Sequence, residues 1–118
     1  MFSKPLPEID VATLDEKLKS NDDFILLDVR EADELLRAHI DDPRLVHTPM
    51  SGLAAGGTSA LPEPAQSAER SVLVLCHHGS RSADVTAWLI QNGWTNVVNV
   101  RGGIDAYAKK IDASVGMY

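Results

Sequence analysis

The sequence predicts an α/β fold, with a mostly parallel sheet of about four to five strands and helices on both faces. Three observations predict it. Short apolar runs, above all Phe24-Ile25-Leu26-Leu27 and Val72-Leu73-Val74-Leu75, have the unbroken hydrophobicity of strands buried on both faces. Segments with apolar residues at helical spacing lie between them. Strand and helix signals alternate along the whole chain, the order that generates parallel strands with crossover helices. The 118 residues are expected to form one domain, 1–118, able to bury a core without disulfides or a structural metal.

Each element has a local reason. Asp10 is an N-cap residue before a helix that aligns Val11, Leu14 and Leu18 on one face. Ser20-Asn21-Asp22-Asp23 ends that helix, and the run from Phe24 to Leu27 closes on Asp28-Val29-Arg30 as a buried strand. An acidic helix is expected from Glu31 to about Arg37. Asp41-Asp42-Pro43 then marks a turn, and Leu45-Val46 a further short strand. Residues 51–70, SGLAAGGTSALPEPAQSAER, have no clear period and read as a surface connection with one weak helical turn, their role unassigned. Val72–Leu75 is the strongest candidate for the central strand, with Cys76 at its carboxyl end. Gly79 interrupts the pattern before a helix from about Arg81-Ser82 to Gln91, which carries Val85, Trp88 and Leu89 and is closed by Gly93. Val97, Val98 and Val100 form the next strand. Gly102-Gly103 then turns the chain into a last helix, Ile104 to about Ile111.

Composition narrows the function classes. Hydrophobic residues at 44% and charged residues at 24% are ordinary for a soluble globular chain. No apolar run approaches the roughly 18 residues of a membrane span, so no membrane partner is expected. The N-terminal residues lack the apolar core of a secretion signal, and a cytoplasmic location is the expectation. The net charge of -6, from 17 acidic against 11 basic residues, argues against nucleic acid, whose phosphates require clustered Lys and Arg.

The chemistry concentrates on the lone cysteine. In open α/β sheets ligands bind beyond the carboxyl ends of strands, where Cys76 is expected to stand. The segment Cys76-His77-His78-Gly79-Ser80-Arg81-Ser82 joins strand to helix. Amides and the positive end of the following helix, together with Arg81 and either histidine if protonated, would favour a thiolate there. Successive loop amides would also cradle an anion, and Gly79 lets the loop curl. The plainer reading, a buried inert cysteine, is disfavoured by this position and these flanks. No metal is expected, because adjacent residues on one tight loop rarely converge on one ion. His39 and His47 are expected to be structural, each making a backbone hydrogen bond.

Three blocks together resemble the rhodanese-like sulfurtransferases. The Cys76–Ser82 loop is similar to the family's active-site loop. Asp28-Val29-Arg30 with Glu34 resembles its Asp-Val-Arg-x-x-x-Glu block, and Gly102-Gly103 with Tyr107 resembles its Gly-Gly-x-x-x-aromatic block. The stretch Ile111-Asp112-Ala113-Ser114-Val115 is similar to the ending of rhodanese domains fused to adenylating enzymes. The chain departs from the family at Leu35, where an aromatic is common, and at Ala38 and Asp42-Pro43 around His39-Ile40. The resemblance implies a rhodanese-like fold and sulfur transfer through a persulfide on Cys76, with no cofactor. The implied partners are a small anionic sulfur donor such as thiosulfate, and an acceptor such as cyanide, a thiol or a protein. It also implies that Arg81 orients the anionic donor and that Ser80 and Ser82 donate hydrogen bonds. His77 and His78 would shape the loop mouth, while Asp28 and Arg30 support the loop, Asp28 through an ion pair with Arg81.

Two rivals are set against this reading. Cysteine phosphatases and arsenate reductases also ring an anion with Cys and Arg, but their loops place five residues between the two, and here there are four. A noncatalytic module of the same fold usually lacks the cysteine that this chain has.

Overall fold

A computed structural model describes residues 5–118. Five parallel strands form one sheet: β1 (Glu8–Ile9), β2 (Ile25–Asp28), β3 (Leu45–His47), β4 (Val72–Leu75) and β5 (Val97–Val100). Their order across the sheet is β1-β5-β4-β2-β3, with β4 in the middle. Asp28 stands opposite Leu75 on one side and His47 on the other, so three strands end in register. That shared carboxyl edge is where the Cys76 loop begins.

The helices are α1 (Val11–Leu18), α2 (Ala32–Leu35), α3 (Met50–Gly56), α4 (Ser80–Gln91) and α5 (Gly103–Lys110). Alternation along the strands divides the core between the two faces of the sheet. Ile25, Leu27, Val72 and Val74 pack with Leu53 of α3 and with Val85 and Leu89 of α4. Leu26, Leu73 and Leu75 pack with Val11 and Leu14 of α1 and with Ile104 and Tyr107 of α5. The predicted α/β class, with helices on both faces, is therefore the one observed. The N-cap of α1 is also as expected, with the Thr13 amide donating to Asp10 Oδ1 at 2.8 Å. No helix among the described residues is long and apolar enough to cross a membrane.

Three local expectations are corrected. The strand β1 was not expected, since two residues carry no periodic signal. It exists because β5 offers an edge: the amides of Asn99 and Arg101 donate to the carbonyls of Pro7 and Ile9 at 2.9 and 2.8 Å. The acidic helix is a single turn and stops at Leu35, because the chain must then sink Ala38 and Ile40 into the core. Residues 51–70 are more than a surface connection. Beyond α3 they form 3-10 turns at Gly57–Ala60 and Glu63–Ala65, and Leu53, Leu61 and Ala65 are buried. The Trp94 indole donates to the Ala65 carbonyl at 3.0 Å, tying this segment to the sheet. Its packing follows from three apolar side chains spread over a stretch that shows no single period.

Candidate active site

The chain leaves β4 at Leu75, and the next residue, Cys76, is fully buried at 0% exposure. Four residues later α4 begins, so the thiol sits beneath the amino end of a 12-residue helix. Of the loop amides, that of Gly79 donates to Cys76 Sγ at 3.1 Å. Ser82, one turn into α4, brings its Oγ within 3.2 Å of the sulfur and donates to Asn99 Oδ1 at 2.5 Å. Asn99 in turn donates to the Gly79 carbonyl at 3.3 Å, closing a buried ring of polar contacts beneath the loop. An N–H donor and a hydroxyl able to turn toward the sulfur are the groups that hold an anionic or chain-extended sulfur.

The last helix braces the loop from below. The amides of Ile104 and Asp105 donate to the carbonyls of Cys76 and His77, each at 3.0 Å. Such close approach requires glycine at 103. A Cβ there would run into the carbonyl oxygens of Cys76 and His77, and the backbone has φ of 63°. At Gly79, φ is 99°, and a Cβ would meet the Gly102 nitrogen at 2.9 Å. The glycines of the two quoted blocks thus serve one contact.

The charged residues are paired differently from the expectation. Asp28 does not hold Arg81. Its carboxylate is taken by Arg30, with Nε to Oδ1 at 3.0 Å and a terminal nitrogen to Oδ2 at 2.8 Å, both side chains at 0% exposure. A guanidinium two residues along the chain takes both carboxylate oxygens of Asp28, and the Arg30 amide adds a further donor to Oδ1 at 3.1 Å. Arg81 forks instead onto Glu34 of α2, at 2.7 and 2.8 Å. Glu34 also accepts the Glu31 amide, at 2.9 Å, which fixes its rotamer at the helix start. The Arg81 hydrogen bonds pull the Glu34 carboxyl down to about 2, against burial that pushes it up.

That depression has a sign. A carboxyl lowered on folding adds stability that is complete above its unfolded value of 4.5 and is lost as pH falls through the folded value of about 2. Urea unfolding measured from pH 5 down to 2 should therefore show a progressive loss of stability, shallower in Glu34→Gln. Equal slopes in the two proteins would show that Glu34 is not coupled to folding.

The histidines occupy the mouth. His77 is half-buried, and burial, followed by the nearby His78, lowers its pKa. That shift works against the positive potential expected of a protonated ring. His78 is exposed, with Nε2 3.8 Å from Asp105 Oδ2. Ligand atoms of His77, His78 and Asp105 lie within 4.8 Å of one another, a closer convergence than adjacent residues suggested. The Lys109 ammonium, 3.0 Å from the same Asp105 oxygen, already supplies positive charge there. His47 places Nε2 2.6 Å from the Arg30 carbonyl, in the structural role expected of it, whereas His39 is exposed. Ser80 opens α4 as an exposed residue.

Four residues enter the site without having been singled out for it: Glu34, Asn99, Gly103 and Tyr118. The Tyr118 ring stacks on His77 with centroids 3.7 Å apart and planes 8° apart. Its hydroxyl donates to Glu34 Oε1 at 2.9 Å and accepts from Arg30 at 3.1 Å. Asn99 had a legible signal, a polar residue inside the apolar run of β5. Tyr118 had none.

Comparison with known proteins agrees with this picture. The model of the rhodanese-like domain matches residues 10–110. A sulfurtransferase from Allochromatium vinosum is 34% identical over 102 residues, which cover 86% of this chain and 88% of that protein. The chloroplastic rhodanese-like/PpiC domain-containing protein 12 of Arabidopsis thaliana is 32% identical over 98% of this chain, which spans only 38% of that longer protein. Among solved structures, a rhodanese-related protein from Thermoplasma volcanium superposes with a TM-score of 0.71 at 31% identity. That match covers 89% of this chain and 93% of the other.

Proposed function

The chain belongs to the rhodanese-like domain family, and on that premise we propose that it is a sulfurtransferase that carries sulfane sulfur as a persulfide on Cys76. One observation carries the reading: a lone cysteine at the carboxyl end of the central strand, its sulfur met by the Gly79 amide at 3.1 Å and the Ser82 hydroxyl at 3.2 Å. In the first half-reaction the Cys76 thiolate attacks the sulfane sulfur of a donor. A new S–S bond forms to Cys76, the donor's S–S bond breaks, and its electron pair leaves with the donor. From thiosulfate the leaving group is sulfite, and from an organic persulfide it is a thiolate. In the second half-reaction an acceptor thiolate or cyanide attacks the outer sulfur and leaves with it, and the Cys76 thiolate is restored. No net oxidation occurs and no cofactor is required.

The Gly79 amide, with the positive end of α4 behind it, favours negative sulfur in both states. Ser82 can turn its proton from Asn99 to the sulfur as charge develops. The phosphatase reading is disfavoured by two features: the loop is one residue short, and Arg81 is already forked onto a carboxylate rather than turned to an anion. A noncatalytic role is disfavoured by a cysteine so equipped. The acceptor class includes thiols and a sulfur-accepting protein.

Intact-mass analysis tests the proposal. After incubation with excess thiosulfate or an alkyl persulfide and removal of the donor, the protein should gain one sulfur atom, and cyanide should remove it. A mass unchanged by every sulfane donor would overturn the reading.

A further inference from the structure

The loop and the carboxylate beside it form a charge problem that a sulfur donor must meet. Each oxygen of Glu34 accepts two hydrogen bonds. Oε2 takes Arg81 at 2.7 Å and the Glu31 amide at 2.9 Å, while Oε1 takes Arg81 at 2.8 Å and the Tyr118 hydroxyl at 2.9 Å. A carboxylate so satisfied does not readily release its guanidinium, and the Glu34 carboxyl stays ionised down to about pH 2. Tyr118 is held in place by the Arg30 hydrogen bond on one edge and the His77 stack on its face.

The other guanidinium at the loop is also compensated. Arg30 is fully buried against Asp28, and burial holds His77 toward its neutral form. Exposed His78 lies near Asp105, a carboxylate that it shares with Lys109. A small dianion reaching Cys76 thus meets no free guanidinium among these residues, only the amide of Gly79, the dipole of α4 and the exposed His78 at the mouth. Thiosulfate, with its sulfonate, gains from a free guanidinium there, and a carbon-bound persulfide does not.

Resting on Cys76 as the sulfur carrier, we propose that Glu34 and Tyr118 form a latch on Arg81 that selects the donor by charge, favouring organic or protein persulfides over thiosulfate. In the favoured step the Cys76 thiolate takes the outer sulfur of R–S–SH, giving Cys76–S–SH and R–S⁻. Glu34 acts here as a specificity-determining residue, and Tyr118 as a positioning residue that acts through it.

The test is the rate of sulfur loading onto Cys76, followed by quenched intact-mass analysis at sub-saturating donor. The two donors are thiosulfate and an uncharged alkyl persulfide. Glu34→Gln leaves Arg81 without a counter-charge, so the thiosulfate-to-persulfide rate ratio should rise about tenfold, the equivalent of one hydrogen bond to a charged group. Tyr118→Phe keeps the stacked ring but removes one donor to Glu34, and should raise the same ratio by about two- to threefold. A ratio unchanged in Glu34→Gln, including one in which both rates fall together, would mean that Glu34 only scaffolds the loop, and the latch is wrong.

A second measurement uses the unaltered protein and no sulfur chemistry. Sulfate, with ionic strength balanced by chloride, should not slow alkylation of Cys76 by iodoacetamide. Clear protection by millimolar sulfate would overturn the latch even if a variant failed to fold. If instead neither donor ever loads sulfur, the sulfur-carrier reading itself fails, and the sulfate result still reports separately on anion binding.

Discussion

Replacing Cys76 by serine is expected to lower sulfur loading by at least about a thousandfold, because a hydroxyl is not ionised near neutral pH and forms no persulfide. The fold should survive. Serine is close to cysteine in shape, and its oxygen can take the Gly79 amide and sit within the Ser82–Asn99 ring as the sulfur does. Stability should therefore change by about 1 kcal/mol or less, as for other near-isosteric changes that leave no polar group unpaired. Urea unfolding and intact-mass loading measured on the same sample separate the two effects. Residual loading above one per cent would be hard to reconcile with Cys76 as carrier, since the chain has a single cysteine. A large loss of stability would show instead that the sulfur is a packing element first.

The largest stability effect is expected at Asp28. Asn in its place leaves the Arg30 guanidinium fully buried and uncompensated, and removing one partner of such a pair costs about 3–5 kcal/mol. That is a large share of the roughly 5–15 kcal/mol by which domains are stable. The damage should spread along the contacts of Arg30, which also donates to the Tyr118 hydroxyl at 3.1 Å and the Glu34 carbonyl at 3.3 Å. Asp28→Asn combined with Arg30→Met removes the stranded charge and should recover part of the loss, as replacement of buried pairs by apolar groups often does. Urea midpoints at pH 7 for the three proteins check this. A single-variant loss below about 1 kcal/mol, or a double variant no better than the single, would show that the pair does not anchor the strand end.

The two predictions also divide what was legible in the chain. Cys76 was legible because its signals are local. An unbroken apolar run of four residues has to be buried on both faces, a glycine three residues past the cysteine lets the chain turn, and a helical pattern follows at once. The same kind of signal marked α1, β2, β4 and β5, where hydrophobic spacing alone dictates which side chains leave water. Segments whose apolar residues share no period were misjudged for the converse reason. Leu53, Leu61 and Ala65 each fill a gap set by the far side of the sheet, so their burial depends on that wall.

The pairing of charges was not legible. Asp28 and Glu34 both arrive near the loop, and nothing in the order of residues says which of them meets Arg81. The choice follows from Arg30 closing on Asp28 and from the single turn of α2, which presents Glu34 to α4 across 47 residues of chain. Tyr118 reaches the same carboxylate across 84 residues. By itself, the sequence determined the alternation of strands and helices and the place of the thiol at a strand's carboxyl end, because both follow from burying apolar side chains at fixed periods. The tertiary structure alone decided which carboxylate neutralises Arg81 and which ring covers His77, because a contact between distant segments is selected by the packed geometry that carries them and leaves no periodic trace in either.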